Sequence, residues 1–123
     1  MSGRIMTLPG TSGFNQLYGK YKSLSKLEFE LTKEEFKQLV QSNCFYCGNP
    51  PSHIIDKFKP HYSKEANENT RFIYNGIDRV DSNKGYILSN CVPCCGKCNQ
   101  AKMSLSQSDF FIMIKQIYEN HNL

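Results

Sequence analysis

No stretch of this chain comes near the roughly 18 consecutive apolar residues that a membrane-spanning helix needs. An apolar secretory h-region is also missing: Met1 to Gly13 carries Arg4 and no such segment. Repeats and low-complexity tracts are absent. These gaps argue against a membrane protein, a secreted protein and a solenoid. The expectation is an intracellular protein with no membrane partner, in the cytoplasm of its host cell, where thiols stay reduced. At 123 residues the chain has room for one hydrophobic core but not two. Apolar residues at 39% and charged residues at 21% fit a folded domain rather than a disordered one. The net charge of +4 is mild, but acids are locally scarce. Residues 1 to 27 hold Arg4, Lys20, Lys22 and Lys26, with no acid before Glu28. Such a segment suits a polyanion. The same lysines would equally form the solvated face of a helix.

Phe14, Leu17, Tyr18, Tyr21, Leu24 and Leu27 recur at spacings of three and four, which predicts a helix over residues 14 to 27. Phe29 to Leu31 reads as a short extended stretch. Thr32 followed by Glu35 is a capping box, with Leu31 and Phe36 placed as a hydrophobic staple. A helix is therefore expected from Lys33 to Ser42. Asn49-Pro50-Pro51 ends regular structure, and residues 52 to 70 read as a polar loop. Arg71 to Tyr74 reads as a short strand. Ile77 to Asp81 alternates apolar and charged residues, Asp81 to Gly85 is rich in turn formers, and Tyr86 to Leu88 is expected to return as the second strand of a hairpin. A helix is expected through Lys102. A last helix, capped by Ser106 and Asp109, turns Phe110, Ile114, Ile117 and Tyr118 toward the core.

Six cysteines carry the chemistry. Cys44 and Cys47 form one C-x-x-C, and Cys91, Cys94, Cys95 and Cys98 crowd into a second segment. Close pairs without a signal peptide point to metal ligands rather than disulfides. A four-thiolate zinc site needs two sulfurs from each of two segments. The second pair is either Cys91 and Cys94 or Cys95 and Cys98. Cys95 and Cys98 are preferred because Gly96 between them frees the turn. Cys91 and Cys94 are then small buried residues, unless they hold a second zinc with a histidine. Structural zinc contributes about 10–16 kcal/mol in small domains, against a typical total stability of about 5–15 kcal/mol.

Taken in order, Cys44-x-x-Cys47, Ile77-Asp78-Arg79-Val80-Asp81, Lys84-Gly85-Tyr86, Asn90 and Cys95-x-x-Cys98-Asn99-x-x-Lys102 resemble the HNH, or ββα-metal, endonuclease superfamily. The resemblance covers about residues 44 to 102. Residues 14 to 40 also look like the leader of phage and mobile-element members. The likeness implies an α+β fold: a small zinc-bound ββα-metal core with N-terminal and C-terminal helices. Within one domain, residues 1–43 would be a tail and basic helices packing on the core, 44–102 the zinc-stapled core, and 103–123 the terminal helix. It further implies that Asp78 and Asn99 ligate the catalytic metal and that Asn90 holds the loop between hairpin and helix.

One position departs from the pattern. Arg79 stands where most members carry a general-base histidine, and arginine cannot accept a proton. Some restriction enzymes that this chain resembles also carry arginine there. The substitute bases open to this chain are His53, His61, Tyr74, Tyr86 and Asp81. The expected activity is metal-dependent hydrolysis or nicking of DNA. Mg2+ or Mn2+ on the oxygen ligands Asp78 and Asn99 would stabilise charge at the phosphate, with Zn2+ kept on the thiolates. Arg79 would grip a phosphate. Lys84, Lys97, Lys102, Lys20, Lys22 and Lys26 would contact the backbone of double-stranded DNA, whose minor groove the resemblance assigns to the hairpin and helix. A second copy of the chain is a further candidate partner. The alternative is a non-catalytic zinc-stabilised nucleic-acid-binding module.

Overall fold

The computed structural model describes residues 9–123. Arg4 lies outside the described residues. Among those residues, five helices and two small antiparallel sheets make an α+β fold. None of the helices is long and apolar enough to cross a membrane.

Helix α1 (Thr11–Leu24) and helix α2 (Lys33–Val40) build the core. Both hydrogen bonds of the capping box form: Glu35 N donates to Thr32 Oγ1 at 3.1 Å, and Thr32 N donates to Glu35 Oε1 at 2.9 Å. The staple residues Leu31 and Phe36 are both buried. Phe36 lies at the centre of a ring cluster, with Phe14, Tyr18 and Tyr21 centred 5.9, 5.3 and 5.3 Å away. Edge-on packing of this kind adds to the gain from burying the rings themselves.

Strand β1 (His53–Ile55) pairs with β2 (Phe72–Tyr74), and helix α3 (Lys64–Thr70) joins them. The expected 52–70 loop thus contains a strand and a helix. Ser63 caps α3 by accepting from Ala66 N at 3.1 Å.

Strand β3 (Gly76–Arg79) pairs with β4 (Cys91–Cys94), with Asp78 opposite Val92 and Gly76 opposite Cys94. The hairpin therefore does not return on Tyr86 to Leu88. Tyr86 instead bridges Phe29, donating to Glu28 O at 2.8 Å and accepting from Glu30 N at 2.9 Å. Its ring joins the aromatic cluster beside Tyr21 and Phe29. The longer connection is closed by Asn90: its Oδ1 accepts from Asp81 N at 2.8 Å, and its Nδ2 donates to Asp81 O and Gly85 O at 3.0 Å each. Gly85 is required there because a Cβ would run into the Glu28 backbone.

Helix α4 (Gly96–Lys102) follows β4 directly, and helix α5 (Gln107–His121) ends the chain. Ser106 caps α5 by accepting from Asp109 N at 3.1 Å. Phe110 is buried, but Ile114, Ile117 and Tyr118 are about half exposed. The apolar side of α5 thus meets the described core only at its first turn.

Candidate metal centre and the ribbon–helix face

Cys44 and Cys47 sit in a tight knuckle. Gly48 N donates to Cys44 O, and Cys44 N donates to Asn49 O. Gly48 takes φ of 77°, a conformation costly for any residue with a Cβ. Phe45 N donates to Pro93 O at 2.8 Å and ties the knuckle to β4. Cys95 caps α4, and Cys98 lies one turn into that helix. The sulfur atoms of Cys44, Cys47, Cys95 and Cys98 all lie within 4.8 Å of one another, with Cys47 and Cys95 at 3.6 Å. Four sulfurs on one tetrahedral zinc would stand about 3.8 Å apart, from a bond of about 2.3 Å. The donor set and its spacing fit a structural metal ion such as zinc.

The four sulfurs do not ionise alike. Burial opposes ionisation of Cys44, but backbone N–H groups of Cys47, Cys95 and Tyr46 outweigh it and bring its pKa down to about 6. Cys98 moves the other way, through burial and then through the neighbouring Cys95, Cys47 and Cys44 sulfurs. Thiolates so close repel one another, and a bound cation would remove that cost. Cys91 and Cys94 stay outside the cluster. Burial raises them to about 11 and about 12, as befits inert thiols in a core.

The preference for Cys95 and Cys98 thus selects the clustered pair, but Gly96 has another reason. It lies within α4, not at a left-handed turn, and a Cβ there would collide with His53 Nε2. Glycine here leaves room for the end of the His53 ring rather than giving freedom to the backbone.

Asp78 and Arg79 are neighbours on a strand, so their side chains leave opposite faces of the ribbon. Asp78 turns toward α4 and is buried. Its carboxylate accepts from Tyr46 Oη at 2.7 Å and pairs with Lys102 Nζ at 3.2 Å. Burial, then the bond to Asp78, raises Tyr46 well above the ordinary tyrosine value. Lys102 is only 1% exposed, so it is a buried counter-charge and not a DNA contact. Arg79 turns the other way. Its Nη1 donates to Ser82 O and Lys84 O, and its guanidinium lies 5.3 Å from the centre of the Tyr86 ring. Arg79 therefore braces the β3–β4 connection and shares no phosphate position with Asp78.

Asn99 is exposed and lies one helical turn before Lys102. It lines a crevice of about 240 Å³ with Tyr21, His53, Tyr74, Gly76 and Gln100. No hydrogen bond joins Asp78 to Asn99, and Asp78 does not line this crevice; Tyr46 and Lys102 hold the carboxylate. Lys20, Lys22, Lys26, Lys84 and Lys97 are all exposed. Lys26 shares a second crevice with Arg79, Ser82 and Tyr86, on the ribbon face away from Asp78.

Two residues that sequence reasoning missed anchor this region. One is Tyr46, hidden inside the first C-x-x-C. The other is Asn75, fully buried, whose Nδ2 donates to Ser42 O at 2.9 Å and Asn49 O at 3.3 Å. A polar residue between β2 and β3 gave no signal of that clamp.

No protein-family model matches the chain, and no solved structure matches it significantly. A protein of Acanthamoeba polyphaga mimivirus, described as an uncharacterized protein, is 43% identical over 103 residues. Those residues are 81% of this chain and 16% of the viral protein, so the chain spans about one sixth of that relative's length.

Proposed function

We propose that this chain is a metal-dependent DNA endonuclease or nickase domain of HNH type, held in shape by zinc on Cys44, Cys47, Cys95 and Cys98. The observation that carries the reading is the placement of Asp78 and Asn99 along α4. The Asp78 carboxylate touches α4 at Lys102. Asn99 precedes Lys102 by one turn, about 4.5 Å along the axis. The acid of the strand thus meets α4 one turn beyond the amide, and one divalent ion would have to draw the two together. Both offer oxygen, the donor that Mg2+ and Mn2+ prefer. Such an ion would supply charge stabilisation at the phosphate. Within the chain, Lys97 and the lysines of the basic segment would position the duplex through its backbone.

The pairing of Asp78 with Lys102 favours a second reading, a non-catalytic zinc module that binds nucleic acid. A carboxylate already neutralised by a buried ammonium would have to give up that partner to hold a metal ion. The two readings separate on Asn99→Ala, since Asn99 is exposed and its loss should leave the fold intact. Incubated with Mg2+ or Mn2+, supercoiled plasmid should be nicked or linearised by the parent. Asn99→Ala should lose at least about 10- to 100-fold of that cleavage, the range seen when a metal site is disturbed. Plasmid that is shifted on a gel but uncut by the parent under every metal would leave only the binding module.

A further inference from the structure

Five residues could replace the missing general base, and the structure separates them. Arg79 faces away from Asp78, so a proton acceptor must come from the side of the ribbon that α4 covers. Tyr86 lies on the wrong side, packed between Tyr21 and Phe29 under the Arg79 guanidinium. Asp81 Oδ1 accepts from Asn83 N inside the turn. His61 stacks edge-on against Tyr62 on the exposed connection before α3. His53 and Tyr74 remain, and both line the crevice that holds Asn99.

Of this pair His53 has the suitable chemistry. Tyr74 is raised by burial and so is the harder group to ionise. The His53 ring stacks on Tyr74 at 5.5 Å, which fixes its plane, and its nitrogens make no hydrogen bond to any described residue. Its Nε2 lies against Gly96 at the first turn of α4. Along that helix, His53 meets Gly96, Asn99 stands one turn on, and Asp78 meets Lys102 one turn further. From Gly96 to Lys102 the helix itself rises about 9 Å. A phosphate seated in the crevice at Asn99 would therefore have the His53 imidazole beside it.

Resting on the endonuclease reading, we infer that His53 is the catalytic proton acceptor of this site, in place of the residue at position 79. The water oxygen donates an electron pair to phosphorus, and one of its protons passes to the free imidazole nitrogen of His53. The bond from phosphorus to the leaving sugar oxygen breaks with its pair, and that oxygen takes a proton from solvent. The imidazolium then returns its own proton to solvent.

The test compares the parent with His53→Gln, His53→Ala and Asn99→Ala, using plasmid cleavage, duplex binding without divalent metal, and circular dichroism. His53→Gln should cleave roughly 100- to 10,000-fold more slowly, the usual contribution of a general base, while folding and duplex binding stay at parental levels. Added imidazole should restore part of the cleavage by His53→Ala, and His61→Gln should cleave like the parent. If His53→Gln cleaves within about twofold of the parent while Asn99→Ala does not cleave, the base assignment fails and the endonuclease reading survives. Loss of folding or duplex binding in both His53 variants would make the residue structural and overturn the assignment. A parent that cuts under no metal would overturn both.

Discussion

The two halves of the molecule are held by different physics. Around Phe36, rings from α1, α2 and the Phe29 and Tyr86 segments close on one another, and stability comes from apolar burial. Around Cys44 a smaller ring cluster, Tyr46 with Phe45, Phe110 and Phe111, lies beside the knuckle, the end of β4 and the start of α4. Their exposed neighbours include Cys47, Lys97 and Asn99. What joins them is four sulfurs in one small volume. The ring half is joined by apolar contacts, whereas the sulfur half offers a group of four cysteines that could hold a metal ion. The candidate site lies in the second half, so a metal ion on those cysteines would bear on its geometry more directly than the ring cluster does.

Cys98→Ser should break that contrast most strongly. Structural zinc in comparable sites contributes about 10–16 kcal/mol, so losing one ligand should release the knuckle and α4. Hydrogen exchange should show protection lost across residues 44–49 and 95–102, while α1 and α2 keep theirs. A chelator applied to the parent should give the same map. Uniform loss across both halves would mean that the ring cluster does not stand alone.

A smaller effect is expected at Asp78 and Lys102, the buried pair that joins β3 to α4. Removing one partner strands the other charge, which typically costs about 3–5 kcal/mol. Asp78→Asn should therefore lower the urea midpoint clearly. The double variant Asp78→Asn with Lys102→Met removes both charges and should recover most of the loss. If the single variant is as stable as the parent, the pair is looser than its 3.2 Å separation implies.

Features written in neighbouring residues were legible from sequence. The capping box at Thr32 and the cap at Ser106 depend on three-residue spacings, and both form. The C-x-x-C spacing marked the thiolates because a metal fixes how far apart its ligands lie. What could not be read was choice of partner. Tyr86 to Leu88 and Cys91 to Cys94 are both apolar enough to pair with β3. The choice turns on Tyr86 entering the ring cluster and on Cys95 being drawn to the knuckle, and both contacts are distant in sequence. Strand β1 has only three residues and becomes visible only beside β2. Helix α3 has no apolar period to announce it. Lys102 looked like a phosphate contact because nothing local to a lysine tells that a carboxylate 24 residues earlier will bury it.

Helix α5 extends the comparison to its weakest point. Phe110 is 4% exposed and packs on Tyr46 at 5.3 Å, so it transmits the packing of the sulfur half into the helix. Ile117, two turns later, is 48% exposed. Truncating a buried phenylalanine removes its transfer energy and leaves a cavity, so Phe110→Ala should cost about 3–5 kcal/mol. Ile117→Ser removes surface that water already reaches and should fall within about 0.5 kcal/mol of the parent. Urea denaturation of the zinc-loaded chain measures both. Equal destabilisation by the two variants would mean that the second half of α5 is covered in solution, and the boundary of the ordered core would then move from Phe110 to the end of the helix.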